Sequence, residues 1–133
     1  MSPTVEQSVR ARLISDAPHP AGIPVRLRSS DDDPGSLHMH FPPEVCLGGR
    51  AEIWTFPRSL LDQGLRTPSG TDDVRIWPCG RAQTMVELRS PEGVALLQFD
   101  TVRLRRFLLN SYAQVPGDGG APRQDTLLRK AQG

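Results

Sequence analysis

The sequence predicts a single α+β domain: about seven short, mostly antiparallel strands with one short and one long helix. Three observations carry this reading. Apolar and polar residues alternate with period two in several separate segments near the N-terminus, as half-buried strands require. Thirteen prolines and twelve glycines in 133 residues enforce short elements and frequent turns. Only one segment, near residue 107, shows a sustained helical stripe.

The elements follow in order. Val5, Gln7, Val9, Ala11 and Leu13 alternate with Glu6, Ser8, Arg10 and Arg12, giving a first strand with one wet face. Ala17-Pro18-His19-Pro20-Ala21-Gly22 reads as a turn, after which Ile23, Val25 and Leu27 oppose Arg26 and Arg28 in a second strand. Asp31-Asp32-Asp33-Pro34-Gly35 is a second turn. Leu37, Met39 and Phe41 alternate with His38 and His40 until Pro42-Pro43, which cannot donate to a ladder, ends the third strand. Gly48-Gly49 turns the chain into a fourth strand, Arg50 to Phe56, antiparallel to the third. Pro57 suits the first turn of a short helix, with Leu60, Leu61 and Leu65 as its buried stripe and Gly64 as a positive-φ terminus. Val74–Pro78, Thr84–Arg89 and Val94–Phe99 are the remaining strands, the last two joined through Pro91-Glu92-Gly93. Asp100 caps the long helix, whose buried face holds Leu104, Phe107, Leu108 and Tyr112 and whose wet face holds Arg103, Arg106 and Asn110. The domain therefore occupies residues 1–116. Residues 117–133 form a flexible or partly helical C-terminal tail.

Composition limits the function classes. Fifteen arginines stand against one lysine, yet the net charge is only +1, so the molecule as a whole attracts a polyanion weakly. No run of eighteen apolar residues and no basic segment followed by an apolar stretch is present, which predicts a cytoplasmic protein with Cys46 and Cys79 as reduced thiols. His38 and His40 face the same way on a strand and form half of a metal site at most; no Cys-x-x-Cys or His-Glu-x-x-His spacing completes it. No nucleophile elbow, phosphate loop or dinucleotide fingerprint occurs, and Asp72 and Asp73 fit a turn better than an acid-base pair. The expectation is a protein without enzymatic activity, cofactor or metal.

Two features point to binding. Trp54 lies out of phase with Ala51 and Ile53, and Trp77 with Val74 and Ile76, which turns each indole toward a second apolar surface such as a covering helix or a subunit partner. The chain ends are net basic and the middle net acidic, so Arg103, Arg105 and Arg106 can make a local basic surface for nucleic acid. Low aromatic content and the lack of a stacking platform weigh against that use.

The middle of the chain carries a longer pattern. Trp54-Thr55-Phe56-Pro57-Arg58-Ser59-Leu60-Leu61, then Gly64-Leu65, Pro68-Ser69-Gly70-Thr71-Asp72-Asp73-Val74-Arg75-Ile76-Trp77-Pro78 and Ser90-Pro91-Glu92-Gly93-Val94-Ala95-Leu96-Leu97 resemble, in order, the motifs of the SsgA-like proteins of actinomycetes. The scarcity of lysine and asparagine agrees with a G+C-rich genome. The resemblance implies a barrel-like sheet of the whirly type and assembly as a trimer. It also implies a non-enzymatic adaptor at the division septum that acts in septum-site selection or maturation through FtsZ or another SsgA-like protein. Trp54, Arg58, Arg75 and Trp77, all within the shared pattern, are the expected partner or subunit contacts. The alternative implied by the fold is a single-stranded nucleic-acid-binding module. The chain departs from the family at Pro57 and Ser59, at Asp72, and in the basic segment from Arg123 to Lys130.

Overall fold

The computed structural model describes residues 3–16, 21–46 and 48–116. Eight antiparallel strands form one half-barrel sheet: β1 Thr4–Leu13, β2 Ala21–Ser30, β3 Asp33–Phe41, β4 Glu52–Pro57, β5 Ser69–Gly70, β6 Val74–Cys79, β7 Gln83–Ser90 and β8 Gly93–Asp100. Helix α1 spans Arg58–Gly64 and α2 spans Thr101–Gln114. The spatial order β4-β3-β2-β1-β8-β7-β6-β5 is two meanders laid end to end. They join through a narrow seam: Arg12 and Leu13 pair with Gln98 and Leu97, and the Ile14 amide donates to the Leu96 carbonyl at 2.9 Å.

Period-two alternation sorts each strand into a core face and an outer face. Val9 and Ala11, Val25 and Leu27, Leu37 and Met39, Val74 and Ile76, Val86 and Leu88, and Leu97 and Phe99 all turn into the concave side. Both helices pack within that concavity. Leu104, Phe107 and Leu108 of α2 are buried, and α2 lies against β1 and β8 on either side of the seam. Helix α1 touches β3 and β4 near one sheet edge and β5 and β6 at the other, so it fills the opening that an incompletely closed barrel leaves.

The predicted architecture holds, and the differences have local causes. The added strand β5 is a two-residue bridge, Ser69 and Gly70 against Ile76 and Arg75, too short for a periodic signal. The acidic turn contracts to Asp31-Asp32, since Asp33 already pairs with Ser30; a register shift between Arg28 and Ser30 absorbs the irregularity. Strand β4 starts at Glu52 rather than Arg50, and Pro57 closes it in an extended conformation before α1 begins. Asp100 occupies the N-cap position of α2 without a capping hydrogen bond from its side chain. Its carboxylate instead accepts from Gln83 Nε2 at 3.2 Å and lies 3.6 Å from Arg103 Nε. The Thr101 amide donates to the Ala82 carbonyl, and its hydroxyl meets that of Thr84 at 2.7 Å in the core.

Gly64 departs most clearly from its expected role. It is the last residue of α1 and is not one of the positive-φ glycines, which among the described residues are Gly49, Gly70, Gly80 and Gly93. Its requirement is space: a Cβ built there meets the Ile76 side chain at 2.5 Å and the Ile76 carbonyl at 3.1 Å. The helix therefore seats directly on β6. The proline-rich turn at 17–20 and the tail at 117–133 lie outside the described residues.

Candidate partner-binding surface

The shared pattern from Trp54 to Pro78 leaves β4, builds α1 and returns through β5 and β6, so it spans both edges of the half-barrel. Its most conspicuous charge is internal. Arg58, the first residue of α1, is fully buried. Its Nη1 donates to the Ser111 carbonyl at 3.1 Å and to Ser111 Oγ at 2.7 Å, and that hydroxyl donates onward to Ser29 Oγ at 2.7 Å. The guanidinium also stacks 4.3 Å from the centre of the Tyr112 ring. One side chain thus ties α1 to α2 and to β2. Enclosure by the chain's own helices removes Arg58 from the expected contact surface. Helical phase carried the signal: Arg58 precedes Leu61 by three residues and shares its buried face.

Trp54 requires a second correction. It shares the core side of β4 with Phe56 and packs, half-buried, against the main cluster, while Ile53 and Thr55 point out. Ile53 is 58% exposed and is the apolar residue that β4 presents to solvent. Phase correctly separates Trp54 from Ile53, but the two faces are the reverse of those expected.

Trp77 and Arg75 stand on the outer face of β6, as expected from their phase against Val74 and Ile76. Trp77 is directly opposite Met85, which explains why Met85 is buried although it lies outside the main core. Arg75 is opposite Glu87, and its Nε donates to the Thr71 carbonyl at 3.5 Å. These residues line an open cleft of about 500 Å³ with Ser69, Thr71 and Asp72. A neighbouring hollow of about 410 Å³ lies between α1 and the Gly70–Val74 turn, where Phe56, Leu60 and Gln63 form part of the wall. Gly70 is indispensable between the two: its φ is 146°, and a side chain there would strike Arg75 and the Val74 carbonyl.

Arg103, Arg105 and Arg106 are all exposed on the outer side of α2, beside Val102 and Leu109, which are 58% and 66% exposed. Arg103 is drawn to Asp100. The aromatic residues of this helix turn inward, Phe107 into the core and Tyr112 onto Arg58, so no stacking platform accompanies the arginines. His38 and His40 do share one face. His38 Nδ1 lies 2.9 Å from Thr55 Oγ1, and His40 is held below the usual histidine range by burial, then by the Arg26 and Arg28 guanidiniums. Cys46 and Cys79 are free thiols. Burial and the Glu52 carboxylate push the Cys46 thiol up, and its Sγ contacts the Pro42 carbonyl at 3.3 Å.

Comparison with known proteins decides the lineage. Residues 23–119 match the model of the Streptomyces sporulation and cell division protein SsgA. The chain belongs to the SsgA family. It is 36% identical over 120 residues to the sporulation-specific cell division protein SsgB of Streptomyces coelicolor, covering 87% of this chain and 85% of the relative. SsgB of Salinispora tropica is 39% identical over 117 residues, covering 84% and 80% respectively. A solved structure from work on SsgB mutations and longitudinal cell division in sporulating Streptomyces coelicolor superposes with a TM-score of 0.76 at 34% identity, covering 87% of this chain and 91% of the other. This SsgA family member is accordingly an SsgB-like sporulation-specific cell division protein. Among the described residues no helix is long and apolar enough to cross a membrane.

Proposed function

We propose that the chain is a non-enzymatic adaptor of sporulation septation, which binds the division machinery at the future septum and contributes to septum-site selection or maturation by recruiting FtsZ. The observation that carries this reading is the family match over residues 23–119, to proteins of sporulation and cell division. The surface supports it, since the clefts beside Trp77 and α1 are open, and apolar Ile53, Val102 and Leu109 face outward. Both suit contact with a protein better than enclosure of a small substrate.

The adaptor works as a homo-oligomer, a trimer in this proposal. Strand β4 ends the sheet with an unpaired side and an exposed Ile53, a sheet edge that another subunit can cover. Repetition of one weak site around a symmetry axis then raises avidity for a filament. A fluorescent fusion tests the main claim: foci or ladders at nascent septa in sporulating hyphae support it, and uniform or nucleoid-bound fluorescence contradicts it. Light scattering tests the second, with three times the 14.6 kDa chain mass expected and a folded monomer as the contrary result.

A further inference from the structure

The outer face of β1–β3 carries a grid of arginines with two imidazoles beside them. Arg10 and Arg12 on β1, Arg26 and Arg28 on β2, and His38 and His40 on β3 alternate with core residues such as Val9, Leu27 and Met39 and therefore face away from them. The strand register sets them in rows: Glu6, Arg28, His38 and Thr55 in one, Ser8, Arg26, His40 and Ile53 in the next. Glu6 is the carboxylate within these two rows, with exposed Asp33 in the row beyond, in line with Thr4 and Ser30, and Glu6 lies 3.8 Å from both Arg26 Nε and Arg28 Nε. All three side chains are substantially exposed, so these ion pairs are weak and readily exchanged. One carboxylate also leaves the two guanidiniums with donors to spare. His40 Nε2 is enclosed without a hydrogen-bond partner.

We infer that this face is a docking surface for an extended acidic peptide segment of the division partner, with carboxylates on alternate residues and an apolar side chain next to them. The inference rests on the adaptor reading for the partner's identity and on the sheet alone for its chemistry. Alternate side chains of an extended chain repeat every 6.8 Å or so, about the spacing of Arg26 from Arg28 and of His38 from His40 along their strands. Carboxylates in that rhythm meet Arg26 and Arg28 in step, and the arginine forks receive each one through two parallel hydrogen bonds. Ile53, 58% exposed at the end of the Arg26–His40 row, supplies the apolar contact. A phosphate chain fits less well, because no Phe, Trp or Tyr stands at the outward positions of these strands and Glu6 lies among the arginines.

The test is fluorescence anisotropy on the full chain with a labelled ten-residue probe alternating aspartate and valine. A probe alternating asparagine and valine, and a single-stranded oligothymidine, are run beside it. Loss of charge-assisted hydrogen bonds predicts that the asparagine probe, and the aspartate probe on an Arg26→Ser/Arg28→Ser protein, each bind at least about tenfold more weakly. Ile53→Ser weakens the aspartate probe a few-fold. These positions are outward-facing, and melting curves establish that the variants fold. Should the double variant fold poorly, amide shift mapping on the unaltered protein decides in its place: shifts clustered at Arg26, Arg28, His40 and Ile53 support the surface, and shifts elsewhere refute it. Equal binding of the two peptide probes, or an unchanged affinity in the double variant, overturns the inference. So does tighter binding of oligothymidine that the double variant abolishes, which makes this a phosphate surface. Septal foci without peptide binding remove this inference and leave the adaptor standing; peptide binding without septal foci does the reverse.

Discussion

Two arginine environments in this molecule are built from the same side chain and are opposite in use. Arg58 is sealed between α1, α2 and β2, with Nη1 donating to Ser111 and its face against Tyr112. Arg26 and Arg28 stand on the far side of the same sheet, share one exposed carboxylate and retain free capacity. The first belongs to the stretch that makes the family recognisable. The second lies outside the patterned stretch of residues 54–97. The contrast teaches that the recognisable residues here are spent largely on closing the half-barrel, while the exposed guanidiniums stand on the outer sheet face.

The contrast breaks most easily at the closure. Alanine normally stabilises a helix relative to glycine by about 1 kcal/mol. At Gly64 the sign reverses, because the added Cβ meets Ile76; overpacking predicts a loss of about 3 kcal/mol, measured by urea unfolding. Ile76→Ala in the same chain should cost less in the Gly64→Ala background than in the parent, since the two share one space. Additive losses would refute the contact. Arg58→Met comes next: with the Ser111 and Ser29 groups left to themselves, a loss of about 2–3 kcal/mol is expected, and Arg58→Lys should recover little because an ammonium has no planar face to lay on the Tyr112 ring.

A smaller effect sharpens the outer face. His40 has a folded pKa below its unfolded value, set first by burial, then by Arg26, Arg28 and His38, with Glu6 acting in the opposite direction. The native state thus binds fewer protons than the unfolded chain as pH falls below the unfolded value of about 6.5. Stability is complete above that pH and declines below it, toward the lower folded value. Melting at pH 5.5 should therefore come below that at pH 7.5 on account of this group. His40→Gln should reduce the difference, and an identical slope in the variant would clear His40 of any part in it. The smallest effect concerns the thiols: exposed Cys79 should react with a thiol reagent ahead of half-buried Cys46, whose raised pKa keeps it protonated. Faster modification of Cys46 would contradict the placement.

Much of this was legible in the sequence, and its limits have physical causes. Alternation located the long strands because each has one dry and one wet face; it identified Val9, Leu27 and Met39 as core, and by the same token Arg26, Arg28, His38 and His40 as outward. It failed where faces blur. On β4, the exposed Ile53 and half-buried Trp54 reverse the usual hydrophobic assignment, so phase alone chose the wrong side. Gly64 carried a signal for a helix end but none for the β6 side chain against it, because that contact is set by tertiary packing. Arg58 was marked as important by pattern and misplaced by its charge, since a buried arginine is uncommon until its partners, here Ser111 and Tyr112, are brought from fifty residues away.

Co-sedimentation with FtsZ filaments is the most direct test of the central claim, run on the unaltered protein and on the Arg26→Ser/Arg28→Ser variant after both have given matching melting curves. The unaltered chain is expected to pellet with filaments while the variant stays in the supernatant. An unaltered chain that stays in solution, or a variant that pellets equally well, would contradict the claim.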